Sequence, residues 1–194
     1  LRYLTILITI VAVSLGSTAY ASDVSIVGDS IACSTYVVAP NNCNLGIHYV
    51  DGVRTIHAVN GLKLASSRNY ISQVVSDPTT HILVVALGSN DVGQASLTMR
   101  PDIFRAAGQP VGCVVITTVK VRGVTSLYNR HWVALARRWN GLVRESGAVV
   151  ADWNAFSQGK PNWFLSDGLH LTRIGRIAYH SMLTNAINRC ALTN

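Results

Sequence analysis

The 194-residue chain has no C-x-x-C pair, no dense run of lysine and arginine, no internal repeat and no low-complexity tract. The missing C-x-x-C spacing argues against a zinc site. Scattered basic residues argue against nucleic acid as a partner, since a nucleic-acid footprint is a basic patch or stripe. Beyond residue 21 no apolar run approaches the roughly 20 residues that cross a bilayer, so no stable membrane insertion is expected of that part. Acidic residues are also few. Nine Asp and Glu stand against 16 Lys and Arg, a formal net charge of +7. Such an excess would draw the chain to anionic surfaces, envelope polymers among them.

The one sustained apolar run lies at the start. Arg2 precedes Leu4 to Leu15, and "GSTAYAS" follows with small residues at Ala19 and Ala21. A basic flank, a short apolar stretch and small residues before a cut form the layout of a secretory signal peptide. Residues 1–21 are therefore expected to be removed after Ala21, leaving one domain, 22–194, in an exported protein, secreted or held in the cell envelope. A mature chain of that length can bury a sizeable core.

Export bears on the four cysteines, Cys33, Cys43, Cys113 and Cys190. An oxidising compartment favours two disulfides, and four cysteines allow three pairings. Cys33–Cys43 is favoured, because a short loop containing Pro40-Asn41-Asn42 separates them. That leaves Cys113 with Cys190, tying a strand to the last helix.

Five short β-rich runs recur: 24–28 "VSIVG", 53–58 "VRTIHA", 81–87 "HILVVAL", 112–118 "GCVVITT" and 147–152 "GAVVAD". Near-continuous apolar runs suit strands buried on both faces of a parallel sheet. Helical patterns lie between them. Ile71, Val74 and Val75 fit one face; Trp132, Leu135, Ala136, Trp139 and Leu142 a second; Ile174, Ile177, Ala178 and Met182 a third, on a closing helix over 172–189. All are read as core. Strands alternating with helices imply a doubly wound α/β sandwich.

Open parallel sheets bind ligands beyond the carboxyl ends of their strands, where the strand order reverses. In a 2-1-3-4-5 order that crevice lies between strands 1 and 3. Three polar turns would converge there: Gly28-Asp29-Ser30 after strand 1, "VNGLK" with Gly61 after strand 2, and "GSNDVG" with Asn90 after strand 3. A serine nucleophile needs a base, and the base needs an orienting group. "SDGLHLT" near the C-terminus offers both, three residues apart. His170 would take the Ser30 proton, and Asp167 would hold the imidazole tautomer and stabilise the imidazolium. The backbone N–H groups of Ser30 and Gly61 and the Asn90 side-chain amide would receive the oxyanion. Asp29 is read as shaping the turn.

Each piece has a plainer reading. Gly-Asp-Ser and Gly-Ser-Asn-Asp are common turn sequences, and Asp167 or Thr172 would serve as a helix cap. His48, His57, His81, His131 and His180 are read as ordinary surface or core residues. The conjunction decides for a serine-hydrolase site, since the pieces follow the right strands in the right order. The G-x-S-x-G elbow of another serine-hydrolase fold is absent around Ser30.

Over essentially the whole mature chain these blocks resemble the SGNH/GDSL hydrolases: "VGDSIA" around Ser30, a glycine at Gly61, "GSND" with Asn90, and "SDGLH" with Asp167 and His170. The second block is the weakest, with a single glycine in "AVNGLKLAS". The resemblance implies a three-layer flavodoxin-like sandwich on a five-stranded parallel sheet in order 2-1-3-4-5. It also implies a Ser30–His170–Asp167 triad, an oxyanion hole from Ser30, Gly61 and Asn90, and neither metal nor cofactor. The stretch 150–172, "VADWNAFSQGKPNWFLSDGLHLT", also resembles the soluble domain attached to some bacterial membrane O-acyltransferases that modify envelope glycans. The expected activity is hydrolysis of a short-chain, small-molecule or glycan ester through an acyl-Ser30 intermediate. O-acyl transfer to an envelope glycan and non-catalytic binding of a glycan or partner on the same fold are the alternatives.

Overall fold

The computed structural model describes residues 24–36, 53–94, 111–125 and 131–191. Segment 1–21 and Cys43 lie outside the described residues. Five strands, β1 (Val24–Gly28), β2 (Val53–Ala58), β3 (Ile82–Ala86), β4 (Cys113–Thr117) and β5 (Val149–Ala151), form one parallel sheet in the order β2-β1-β3-β4-β5. Every residue of β1 and of β3 is buried, as expected of central strands covered on both faces. The edge strands are less covered: Ile56 and His57 of β2 and Val149 and Val150 of β5 are half-buried.

The described helices are α1 (Ser30–Thr35), α2 (Arg68–Ser76), α3 (Ser89–Gly93), α4 (Trp132–Glu145), α5 (Trp153–Phe156) and α6 (Arg173–Ala191). Parallel strands need crossovers, and these are right-handed in nearly all proteins. The step from β1 to β2 runs opposite to the step from β2 to β3, so α1 and α2 fall on opposite faces. The closing helix α6 packs on β3, β4 and β5 and also on α1, which returns it to the α1 face. The result is three layers, with the reversal of strand order at β1.

Helix α4 buries Trp132, Ala136, Trp139, Asn140 and Val143, a stripe at helical spacing. The closing helix departs from the expected face. Ile174 and Ile177 are 56% and 48% exposed, and Ala178 is half-buried. Met182 is buried as expected, and the buried stripe runs with it through Gly175, Tyr179, Leu183, Ala186 and Cys190. Gly175 decides this. A Cβ there would stand 1.9 Å from the Trp163 carbonyl oxygen, so the helix seats its bare backbone against residue 163 and turns both isoleucines outward.

Cys113, opening β4, is disulfide-bonded to Cys190 near the end of α6, with Cα atoms 5.8 Å apart. The bridge ties sheet to closing helix, as the sequence suggests. Cys33 is disulfide-bonded too.

Candidate active site

The sheet ends in register where the site begins. Gly28 pairs with Ala58 of β2 and Ala86 of β3, so the turns after β1, β2 and β3 leave the sheet at one level. The ladder continues one step further: Val59 N donates to Gly28 O at 3.0 Å, and Asp29 N to Ala86 O at 3.1 Å. Gly28 is required by crowding, since a Cβ would lie 2.3 Å from Ala32 Cβ.

Asp29 follows in extended conformation, and its carboxylate accepts from Ile31 N at 2.9 Å. That is an N-cap, which starts α1 immediately after the strand and makes Ser30 its first residue. Asp29 therefore shapes the turn, as expected of it. Burial pushes its carboxyl up to about 7, against the bond from the Ile31 amide. Ser30 itself is half-buried.

Ser30 Oγ lies 3.2 Å from His170 Nε2. His170 Nδ1 lies 2.6 Å from Asp167 Oδ2. The other Asp167 oxygen, Oδ1, accepts from the backbone amides of Leu169 and His170 at 2.8 and 2.9 Å. Burial pushes the Asp167 carboxyl upward, but these bonds from the imidazole and the two amides outweigh it and hold the group below the usual carboxylate range. An ionised Asp167 accepts a hydrogen bond from Nδ1–H, which fixes that tautomer and leaves the Nε2 lone pair facing the Ser30 hydroxyl.

Asp167 is not the cap of the last helix. Thr172 caps α6, with Gly175 N donating to its Oγ1 at 3.2 Å. Asp167 sits instead in a small antiparallel turn closed by a bridge between Phe164 and Leu171, where Leu165 N donates to His170 O at 2.8 Å. Gly168 lets this turn lie flat on the chain after β4. Its φ is +70°, and a Cβ would stand 1.7 Å from Gly123 O.

On the other side of Ser30, Gly61 is the third residue of a turn closed by Leu62 N donating to Val59 O at 3.1 Å. Its φ of +77° is the reason for a glycine, because the space around it is open. Asn90 lies in the first turn of α3, and its Nδ2 donates to Leu62 O at 3.3 Å. The side chain therefore touches the turn that carries Gly61, and its second N–H remains for another acceptor. Among the described residues, neither the Ser30 nor the Gly61 amide donates to a protein oxygen.

Two residues that support this arrangement escape a reading of the sequence. Asp91 is buried, and both its oxygens lie 3.2 Å from Leu64 N. It joins the 59–64 turn to α3, fixing Gly61 relative to Asn90. Burial pushes its carboxyl up to about 6, against the Leu64 bond. Lys120, after β4, donates from Nζ to Gly168 O at 3.1 Å and lies 3.3 Å above the Phe164 ring centroid. It clamps the Asp167–His170 turn from behind. Burial lowers its ammonium pKa, and the Asp167 charge works the other way. "GSND" hints at Asp91 only as a turn residue, and nothing near Lys120 in the chain signals its contact.

No protein-family model matches the chain. The fold superposes on the C-terminal catalytic domain of Streptococcus pneumoniae peptidoglycan O-acetyltransferase A with a TM-score of 0.62 at 15% identity, covering 88% of this chain and 95% of that one. The chain has the fold of the SGNH/GDSL hydrolases. Two further solved structures share this fold. One is a variant of Axe2, an acetyl-xylooligosaccharide esterase from Geobacillus stearothermophilus, with a TM-score of 0.61 at 15% identity over 87% of this chain and 95% of that one. The other is the lipase/acylhydrolase of Enterococcus faecalis, with 0.61 at 16% identity over 86% and 95%. In sequence, 61 residues are 38% identical to peptidoglycan O-acetyltransferase OatA of Listeria monocytogenes. That match spans 27% of this chain and only 10% of the relative's length.

Proposed function

We propose that this chain is an exported acyl esterase of the SGNH type, with Ser30 as nucleophile, His170 as general base and acid, and Asp167 as the orienting carboxylate. The observation that carries the reading is the hydrogen-bonded chain from Ser30 Oγ through His170 to Asp167 at the carboxyl edge of the sheet. The segment 1–21 and the Cys113–Cys190 disulfide support export.

The reaction follows from the geometry. Ser30 Oγ attacks the ester carbonyl carbon as its proton passes to His170 Nε2. Asp167 meets the imidazolium charge without accepting the proton. The carbonyl oxygen becomes an oxyanion, received by the Ser30 and Gly61 amides and by Asn90 Nδ2. Collapse breaks the ester C–O bond, and His170 returns its proton to the leaving alcohol oxygen. Water then attacks the acyl-Ser30 carbonyl, giving up a proton to Nε2, and the carboxylic acid leaves as Ser30 Oγ is reprotonated.

A second reading keeps the same acyl-enzyme but replaces water with a glycan hydroxyl. The likeness to two peptidoglycan O-acetyltransferases favours it. A panel of esters graded in acyl length, run with and without a glycan acceptor on intact protein and on Ser30→Ala, tests both. Short acyl esters should be turned over by the intact protein and not by the variant. Acyl transfer exceeding hydrolysis when acceptor is added selects the second reading. A folded protein that turns over no ester would overturn the enzyme reading and leave a binding protein.

A further inference from the structure

Behind the Asp167–His170 turn lies a cavity of about 740 Å³, bounded by the chain after β4, by α4 and by residues 154–161. Ligand sites commonly measure about 300–1,000 Å³. Its lining is cationic: Lys120, Arg122, Arg137, Arg144 and Lys160 all face it, with no acidic residue among the described lining. Arg144 is already paired with Asp152 at 2.9 Å, and Lys120 holds Gly168 O. Arg122, Arg137 and Lys160 are exposed, and among the described residues none of them has a carboxylate partner.

The walls are fixed in place. Asn140 takes Val119 N and O in a double hydrogen bond of 2.8 and 2.9 Å, and Asn154 accepts from Val121 N at 3.0 Å. Ser157 also lines the cavity; it is 3% exposed and its hydroxyl has no hydrogen-bond partner.

We infer that this cavity is a binding site for an anionic glycan segment, one bearing carboxylate or phosphate groups, that docks the polymer beside the esterase centre. The inference rests on the ester-processing reading for its purpose but not for the binding itself. Three cations without a carboxylate partner among the described residues suit anionic groups, and the exposed Gln158 amide on the same wall suits a sugar hydroxyl. The cavity is concave and cationic, which suits a chain entering it better than a flat lipid surface. It shares a wall with the site: Lys120 and Gly123 line it, and both touch Gly168, between Asp167 and His170. A polymer lodged there would present its neighbouring residues to Ser30.

The test uses Ser30→Ala protein, so that binding is measured without turnover. It is titrated calorimetrically with an oligogalacturonide (carboxylate), a poly(glycerol phosphate) (phosphate) and a neutral dextran oligosaccharide of similar length. At least one anionic polymer should bind, more weakly as salt rises, and the neutral one should not. The arm that binds names the anionic group. Adding Arg122→Gln, Arg137→Gln and Lys160→Gln should weaken that binding about tenfold or more, from three charge contacts of modest strength each. Arg137→Gln alone should weaken it measurably. Arg68→Gln with Arg173→Gln, which removes charge outside the cavity, should change it less. Equal binding of the neutral oligosaccharide, no binding of either anion, or equal losses from the two sets of substitutions would overturn the inference. If the binding behaves as stated while intact protein turns over no ester, the cavity stands and the esterase reading falls.

Discussion

Replacing Asn90 with alanine separates an oxyanion donor from a turn residue. Its side chain makes one protein bond, 3.3 Å long, to Leu62 O in a half-buried position. A bond of that kind contributes about 0.5–1.5 kcal/mol to stability. For a chain of this size each kcal/mol shifts the thermal midpoint by about 2–4 °C, so Asn90→Ala should lower it by only a few degrees. The catalytic loss should be larger. The oxyanion carries full negative charge only in the tetrahedral intermediate, and removing one donor typically costs about 10²–10³ in kcat, or ~2.7–4 kcal/mol. The ground-state carbonyl carries much less charge, so KM should stay within a few-fold. Asn90→Asp should be at least as damaging, because it puts a charged acceptor where a donor is needed. Steady-state kinetics on a short acyl ester and a thermal melt on the same preparation give both quantities. A near-normal kcat per folded molecule would refute the reasoning and leave Asn90 a turn residue.

Asp91→Ala strands the buried Leu64 N–H, so it should cost about 1–3 kcal/mol by denaturant melt and lower kcat. Asp91→Asn keeps an acceptor and should be milder; equal effects would refute the anchoring role. Asp29 and Asp91, with carboxyls pushed up to about 7 and about 6, favour folding when neutral. Their contribution is full below about pH 4, where the unfolded carboxyls are protonated too, and is lost as pH rises to those values, so stability should fall between about pH 4 and pH 7 by on the order of a few kcal/mol. Asp167 and Asp152, held below the usual range, act with the opposite sign and only in more acid solution. Asp29→Asn keeps the cap oxygen and should flatten the slope between about pH 4 and pH 7; an unchanged slope, followed by thermal midpoints across pH, would contradict the assignment. Cys113→Ala with Cys190→Ala opens a link across 77 residues. It should cost about 3–4.5 kcal/mol on chain-entropy grounds, and an unchanged denaturation midpoint would refute that.

That the sheet is parallel and buried on both faces was legible in the near-continuous apolar runs, above all Ile82–Ala86 of β3, whereas the strand order came with the resemblance to the SGNH/GDSL hydrolases. The hydrogen-bonded set of Ser30, His170 and Asp167 was legible because each residue stands next to a glycine or turn that the chain itself requires: Ser30 after Gly28-Asp29, Asp167 and His170 around Gly168. The face of α6 was misread because its buried stripe includes a glycine, a tyrosine and a cysteine, while two isoleucines lie outside it. Periodicity of apolar residues cannot weigh a backbone approach such as that of Gly175 to Trp163 O. Asp91 and Lys120 were hidden for another reason. Their partners, Leu64 and Gly168, are 27 and 48 residues away, and a hydrogen bond to a distant backbone group leaves no mark on local sequence.

The central claim is that Ser30, activated by His170, is a nucleophile. A fluorophosphonate probe on the intact protein, read by intact mass and peptide mapping, tests it most directly. A single adduct on Ser30 is predicted, absent in Ser30→Ala and strongly slowed in His170→Ala. An unlabelled folded protein, or an adduct on any other serine, would contradict it.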